Sequence, residues 1–300
     1  MAFLPMPRRR LLLSLAAAPL AACALPGQPP VPFRAEELAH ALARQPVVLL
    51  GEVHDNPVQH RVRAEALRLH LQGGARPALA FEQFDRERQA AIDAARGSAR
   101  NAAGAAGPLI EAAGRGGWDW ALYRPFVELA LQHDLPIVAA NLSRADAMKI
   151  GRAAGFDAVF DGEAQRRLGL DRLDADFLRR HERNVDDGHC NAMPAHLLPA
   201  LARAQVARDA VLLESIRPHA ARGVVLLTGN GHVRLDLGVP YLMTPAERAR
   251  TLAIGLLEQP EPGADDASFA RLRGLFDLAF VTPRHPRPDP CEALRKRVTT

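Results

Sequence analysis

A chain of 300 residues, 48% hydrophobic and 24% charged, is long enough for one large domain, or one with a small companion. Its 38 Lys and Arg against 34 Asp and Glu give a formal charge of +4, but Arg8, Arg9 and Arg10 lie within the first 22 residues, and the remainder sums to +1. No basic block interleaved with aromatics follows, which speaks against nucleic acid as a partner.

In chain order, the three arginines precede a short apolar run, Leu11 to Leu20, and then small residues up to Cys23. This is the layout of a secretory signal peptide over residues 1–22, too short to span a membrane. Leu20-Ala21-Ala22-Cys23 resembles the bacterial lipobox, in which the cysteine is lipidated and becomes the first residue of the mature chain. Lipidation at Cys23 would anchor the protein stably. Ala24 offers no Asp-type inner-membrane retention signal, so the expected location is the outer membrane, on its periplasmic or surface side. Residues 23–34, with Pro26, Gly27, Pro29, Pro30 and Pro32, read as a stiff tether.

The mature chain alternates apolar runs with helical stretches. Val47–Leu50, Ala78–Phe81, Pro136–Ala140, Val224–Thr228 and Thr251–Leu257 read as strands buried on both faces, with Leu275–Val281 as a sixth. His60–Leu71 and Trp120–His133 carry apolar residues at helical spacing. The predicted fold is therefore α/β, a mostly parallel sheet flanked by helices, over residues 35–154 and 223–300. Residues 155–222 lack a strand-like run, and Met193–Ile216 is clearly helical, so this stretch reads as a small inserted all-helical subdomain. Ala94–Gly117, rich in Ala and Gly, reads as a loop or lid. No internal repeat is present.

In parallel sheets, ligands sit at the carboxyl ends of strands. Here strand one runs into Gly51-Glu52-Val53-His54, strand two into Glu82-Gln83, strand three into Asn141-Leu142-Ser143-Arg144, and strand four into Gly229-Asn230-Gly231-His232. Glu52, His54, Glu82 and His232 thus converge with Asn141 and Arg144 on one rim. His and carboxylate ligands suit a divalent metal, and a metal-bound water could attack an ester or amide. The same residues also read as a buried salt-bridge network, since an unpaired carboxylate is costly to bury. HExxH, GxSxG and a Gly-rich nucleotide fingerprint are all absent. A second polar group, His181, His189, Cys190, Met193 and His196, contains side chains that ligate haem iron, although CxxCH is missing, so any haem would be bound non-covalently. Tyr123, beside Trp118 and Trp120, reads either as helix packing or as a haem contact. Cys190 and Cys291 read as a disulfide or as two separate thiols.

At these residues the chain resembles the ChaN-like haem-binding lipoproteins. The resembling segments run in order from Leu50-Gly51-Glu52-Val53-His54-Asp55-Asn56-Pro57 through Ala80-Phe81-Glu82-Gln83, Trp120 to Arg124 and Pro136 to Arg144. They continue with Gly188-His189-Cys190, Ala204-Gln205-Val206-Ala207-Arg208-Asp209, Gly229-Asn230-Gly231-His232 and Asp289-Pro290-Cys291. One departure is Asn191, which follows Cys190 where the family segment reads His-Cys-Gly. The resemblance implies non-covalent haem binding linked to iron uptake, a homodimer enclosing haem, and a haem-uptake receptor as partner. Carried over by motif, His189 is the first haem-ligand candidate and Tyr123 the second. The wider superfamily includes Tiki-type metalloproteases and erythromycin esterases; for these, Glu52, His54, Glu82 and His232 would be the metal or catalytic set. Haem carrier, metal-dependent hydrolase and structural network stand as three readings. The first two need different residues.

Overall fold

The computed structural model describes residues 34–98, 104–153, 155–261, 263, 265–289 and 291–292. The expected signal peptide, Cys23 and all of the tether but Arg34 lie outside them. The described residues form one compact unit. Among the described residues, no helix is long and apolar enough to cross a membrane.

Six strands form one sheet: β1 (Val47–Leu50), β2 (Ala78–Asp85), β3 (Ile137–Asn141), β4 (Val224–Leu227), β5 (Thr251–Glu258) and β6 (Leu278–Thr282), in the order β3-β2-β4-β1-β5-β6. Every pairing is parallel, with Val47 opposite both Val224 and Thr251, and Ala78 opposite Val224. The carboxyl ends therefore share one edge. The helices are α1 (Ala35–Leu42), α2 (Pro57–Gln72), α3 (Gln89–Ser98), α4 (Ala106–Ala113), α5 (Trp120–Gln132), α6 (Arg144–Ala153) and α7 (Gly162–Leu168). They continue as α8 (Ala175–Gly188), α9 (Leu198–Ile216), α10 (Asn230–Val233), α11 (Val239–Leu242), α12 (Pro245–Arg248) and α13 (Asp266–Arg273).

Successive strand residues point to opposite faces, so the continuous apolar runs feed two cores. Val48, Leu50, Leu79, Phe81, Val225 and Leu227 pack under Leu38, Leu67, Leu71 and Phe126 of α1, α2 and α5. Val47, Leu49, Ala80, Val224 and Leu226 pack under Val206, Ala207, Ala210 and Leu213 of α9. Residues 155–222 are helical throughout their regular elements, but α9 is a layer of the sheet itself, with α8 stacked beyond it. A helix carrying Ala and Val around its circumference suits burial against a sheet as well as a bundle. The stretch expected as a loop or lid holds the end of α3 and all of α4, and Ala106, Leu109, Ile110 and Ala113 of α4 are buried in the first core. Its described end, continuing into Trp118 and Asp119, is loop beside the rim.

Beyond β6 the chain crosses the carboxyl edge. Arg287 makes two hydrogen bonds to Glu258 (2.6 and 2.8 Å) and one to Asp55 (2.8 Å). Cys291 then forms a disulfide with Cys190, Cα to Cα 5.5 Å, closing a sequence separation of 101 residues.

Candidate functional site

The turn after β1 is built on close approach. A Cβ on Gly51 would meet Asn230 Oδ1 at 2.5 Å and Val233 Cγ2 at 2.7 Å, and one on Gly229 would meet His54 Cε1 at 2.7 Å. Each glycine of the two Gly-x-x-His elements thus makes room for the other element. Asn230 locks the pair by donating to Leu256 O (2.6 Å) and accepting from Leu256 N (3.1 Å). Asn56 caps α2, accepting from Val58 N (3.0 Å) and Gln59 N (3.1 Å), with Pro57 at the first helical position.

Glu52 is buried among partners. Arg63, fully buried on α2, forms an ion pair with it and donates to Leu50 O (3.1 Å). Tyr123 Oη donates to Glu52 Oε1 (2.5 Å), which also lies 3.1 Å from His54 Nδ1. His60 Nε2 donates to His54 O (2.9 Å). Burial lowers the Arg63 guanidinium to about 10, so it stays charged at neutral pH beside the Glu52 carboxyl. Burial likewise pushes the Tyr123 phenol up, keeping it a proton donor.

A second buried chain joins the ends of β2 and β4 to α9. Glu82 Oε2 accepts from Thr228 Oγ1 (2.7 Å) and Gly229 N (2.9 Å), Glu82 Oε1 lies 3.4 Å from His232 Nε2, and His232 Nδ1 lies 2.6 Å from Asp209 Oδ1. Burial opposes charge on His232, but the flanking carboxylates outweigh it and raise the imidazole to about 10. Asp209 is pushed up to about 6 by burial, with His232 opposing. Burial also acts against Glu82, yet His232 and its hydrogen bonds hold it well below the usual carboxylate range. His232 thus stands between two carboxylates that favour its protonated form, with Gln205 Nε2 3.1 Å from its Nε2.

Among the described residues, no group of three or more His, Cys, Asp or Glu is placed to hold a metal ion. The expected divalent set of Glu52, His54, Glu82 and His232 is divided between these two networks. Its carboxylates are engaged by Arg63 and Tyr123 on one side and by Thr228, Gly229 and His232 on the other. Tyr123, expected as helix packing or as a haem contact, is 1% exposed, enclosed by His60, Trp118 and Trp120, and its hydroxyl donates to Glu52.

The helical group does not converge. His181 is buried, donates to Leu237 O (3.0 Å) and is lowered to about 4 by burial, while Cys190 is oxidised to the disulfide. His189 is the C-cap of α8, its Nδ1 donating to Val185 O (2.7 Å) and its ring partly exposed. Cys190 and Asn191 follow with φ of 62° and 54°. Asn tolerates this left-handed region best after Gly, which accounts for Asn191 where the family segment has Gly.

One rim imidazole reaches open space. The His54 side chain is 47% exposed and lines a cleft of about 770 Å³ with Asp85, Arg115, Trp118, Asp119 and Arg144. The Trp118 ring stands edge-on to it at 4.8 Å, and Arg115 lies over Trp118 while facing Asp85 at 3.6 Å. Arg144 is exposed at the start of α6. Asn141 is buried just before it, and its amide has no hydrogen-bond partner among the described residues. Arg115 and Asp209 are not among the site residues expected from sequence. An acid at position 209, at core spacing between Val206 and Leu213 on an apolar helix, was the legible signal for Asp209.

Residues 38–243 match the family described as haem-binding uptake, Tiki superfamily, ChaN. Among solved structures, ChaN of Campylobacter jejuni, described with cofacial haem binding, is 20% identical and superposes with a TM-score of 0.63, covering 81% of this chain and 90% of that one. A mutant erythromycin esterase in its open conformation is 13% identical, with a TM-score of 0.42 and 76% of each chain covered. A succinoglycan biosynthesis protein is 10% identical, with a TM-score of 0.36 and coverage of 75% and 68%. No curated protein matches the chain. With more than half of its length matched by the family, the chain belongs to the ChaN family of haem-binding uptake proteins in the Tiki superfamily.

Proposed function

We propose that this protein binds haem non-covalently in the cleft at the carboxyl edge of the sheet, with His54 as the iron ligand. The observation that carries this reading is the His54 ring, half-exposed in the cleft while its Nδ1 lies 3.1 Å from the buried Glu52 carboxylate. A carboxylate on one ring nitrogen fixes the tautomer and leaves the other nitrogen to bind iron. Arg63 and Tyr123 hold that carboxylate in turn. Trp118 offers an aromatic wall, and Arg115 and Arg144 supply cations for propionates. A cleft of about 770 Å³ suits a ligand of this size. Family membership supports haem as the ligand. The lipobox-like segment at Cys23 supports a lipid-anchored carrier that holds haem at the outer membrane for iron uptake.

The test is a haemin titration of the purified protein, following the Soret band in wild type, His54→Ala and His189→Ala. A saturable, shifted band that His54→Ala abolishes and His189→Ala preserves is the expected result. Loss with His189→Ala alone would return the ligand to the end of α8, and no specific band at concentrations well above the micromolar range would remove the haem reading.

A further inference from the structure

The opposite edge of the sheet carries a second pocket. It opens where β1, β2 and β4 begin, has a volume of about 260 Å³, and is lined by Arg44, Arg76, Arg222 and His70, with no acidic residue in its wall. Because the sheet is parallel throughout, this edge lies a full strand length from the His54 cleft. Two of the arginines are pre-oriented by backbone. Arg76 Nη1 donates to Leu71 O (2.9 Å) and Ala75 O (2.7 Å), and Arg222 Nε donates to Arg76 O (3.3 Å). Their remaining N–H groups are uncommitted, and Arg44 is exposed with no side-chain partner among the described residues. Arg217 and Arg248 of the same edge are instead paired, with Glu247 and Asp277. Nearby imidazoles sense the surplus: burial and then Arg76 lower His133, and burial and then Arg222 lower His219.

Three arginines around one pocket with no carboxylate in its wall leave their charge to be met from outside the chain. The planar fork of arginine matches phosphate oxygens in paired hydrogen bonds. We infer that this pocket binds a phosphate group through Arg44, Arg76 and Arg222, with His70 in its wall. That group could be carried by a phospholipid headgroup or be free phosphate, and the two sources are separable.

The test uses the purified full chain carrying Cys23→Ser, which removes the lipid, beside the same chain with Arg44→Gln and Arg222→Gln. Inorganic phosphate is titrated by calorimetry, and vesicles containing phosphatidylglycerol are used for co-sedimentation. Removing two charge-assisted contacts should weaken binding at least about tenfold. Loss of phosphate binding assigns a free-phosphate site; loss of vesicle binding with no phosphate heat assigns a headgroup. Arg166→Gln with Arg172→Gln, two exposed arginines of the helical layer, removes the same charge elsewhere and should retain binding. Equal loss in that control would reduce the effect to net charge and overturn the proposal, as would a wild-type chain that binds neither probe. Should the double variant unfold early, Arg44→Gln alone, at an unpartnered side chain, carries the same comparison.

Discussion

At the scale of single residues, the rim is a set of charges that neutralise one another out of water. Arg63 and Glu52 are both fully enclosed, so removing one strands the other. Arg63→Ala should destabilise the fold by about 3–5 kcal/mol, since breaking a buried pair leaves an uncompensated charge. Replacing both, as Arg63→Met with Glu52→Gln, should recover much of that loss. Urea unfolding of the three proteins decides it: a single variant within 1 kcal/mol of wild type would mean that the pair is not desolvated. The His232 imidazolium makes a prediction with a definite sign. Its folded value is raised from 6.5 to about 10, so the folded chain holds this proton more tightly than the unfolded one. The stability it contributes is fully present below pH 6.5 and is lost as pH rises towards 10. Asp209, at about 6, has largely titrated below that window. Wild-type stability should fall between pH 6.5 and 10, and His232→Gln should flatten the slope; equal slopes would place the alkaline loss elsewhere.

At the scale of elements, the glycines that begin each Gly-x-x-His turn fix where the histidines stand. A methyl on Gly229 would occupy the space of the His54 ring, so Gly229→Ala should push that ring from its place above β4. The expected cost is about 1–3 kcal/mol in stability, as for other overpacked sites, together with a weakened Soret response. Full haem affinity in a destabilised Gly229→Ala protein would detach His54 from binding. Sequence foretold these turns and the strands before them because continuous Val, Ile and Leu runs have few other uses. It did not foretell α4, whose buried face carries only two large apolar residues, Leu109 and Ile110, and whose surroundings are rich in Ala and Gly. Nor did it separate α9 from an inserted bundle, since period alone does not say what a helix packs against. The histidines and carboxylates were legible as a group, but their division into two closed networks was not. That division depends on Arg63 and Asp209, which enter from the helices α2 and α9 rather than from the strand ends. Tyr123 could not be assigned from sequence for the same reason: only the fold shows its hydroxyl turned inward to Glu52.

At the scale of the whole molecule, the C-terminal tail binds the two sides of the carboxyl edge together. It leaves β6, is clamped by Arg287 to Glu258 and Asp55, and ends in a disulfide at the end of α8. A cross-link over 101 residues acts chiefly on the unfolded chain, whose freedom it removes. Cys190→Ser with Cys291→Ser should therefore lower stability by about 2–5 kcal/mol. The Arg287 clamp is local and survives the substitution, so Asp55 stays beside His54 and the cleft keeps its wall. Haem affinity should accordingly change by less than about threefold, under 1 kcal/mol. Thermal unfolding and a haemin titration of the same variant separate the two effects. A fall in melting temperature with affinity retained makes the disulfide a staple of the fold. Unchanged melting with lost haem binding would instead make it a device that shapes the cleft, and would place the end of α8, with His189, within reach of the ligand.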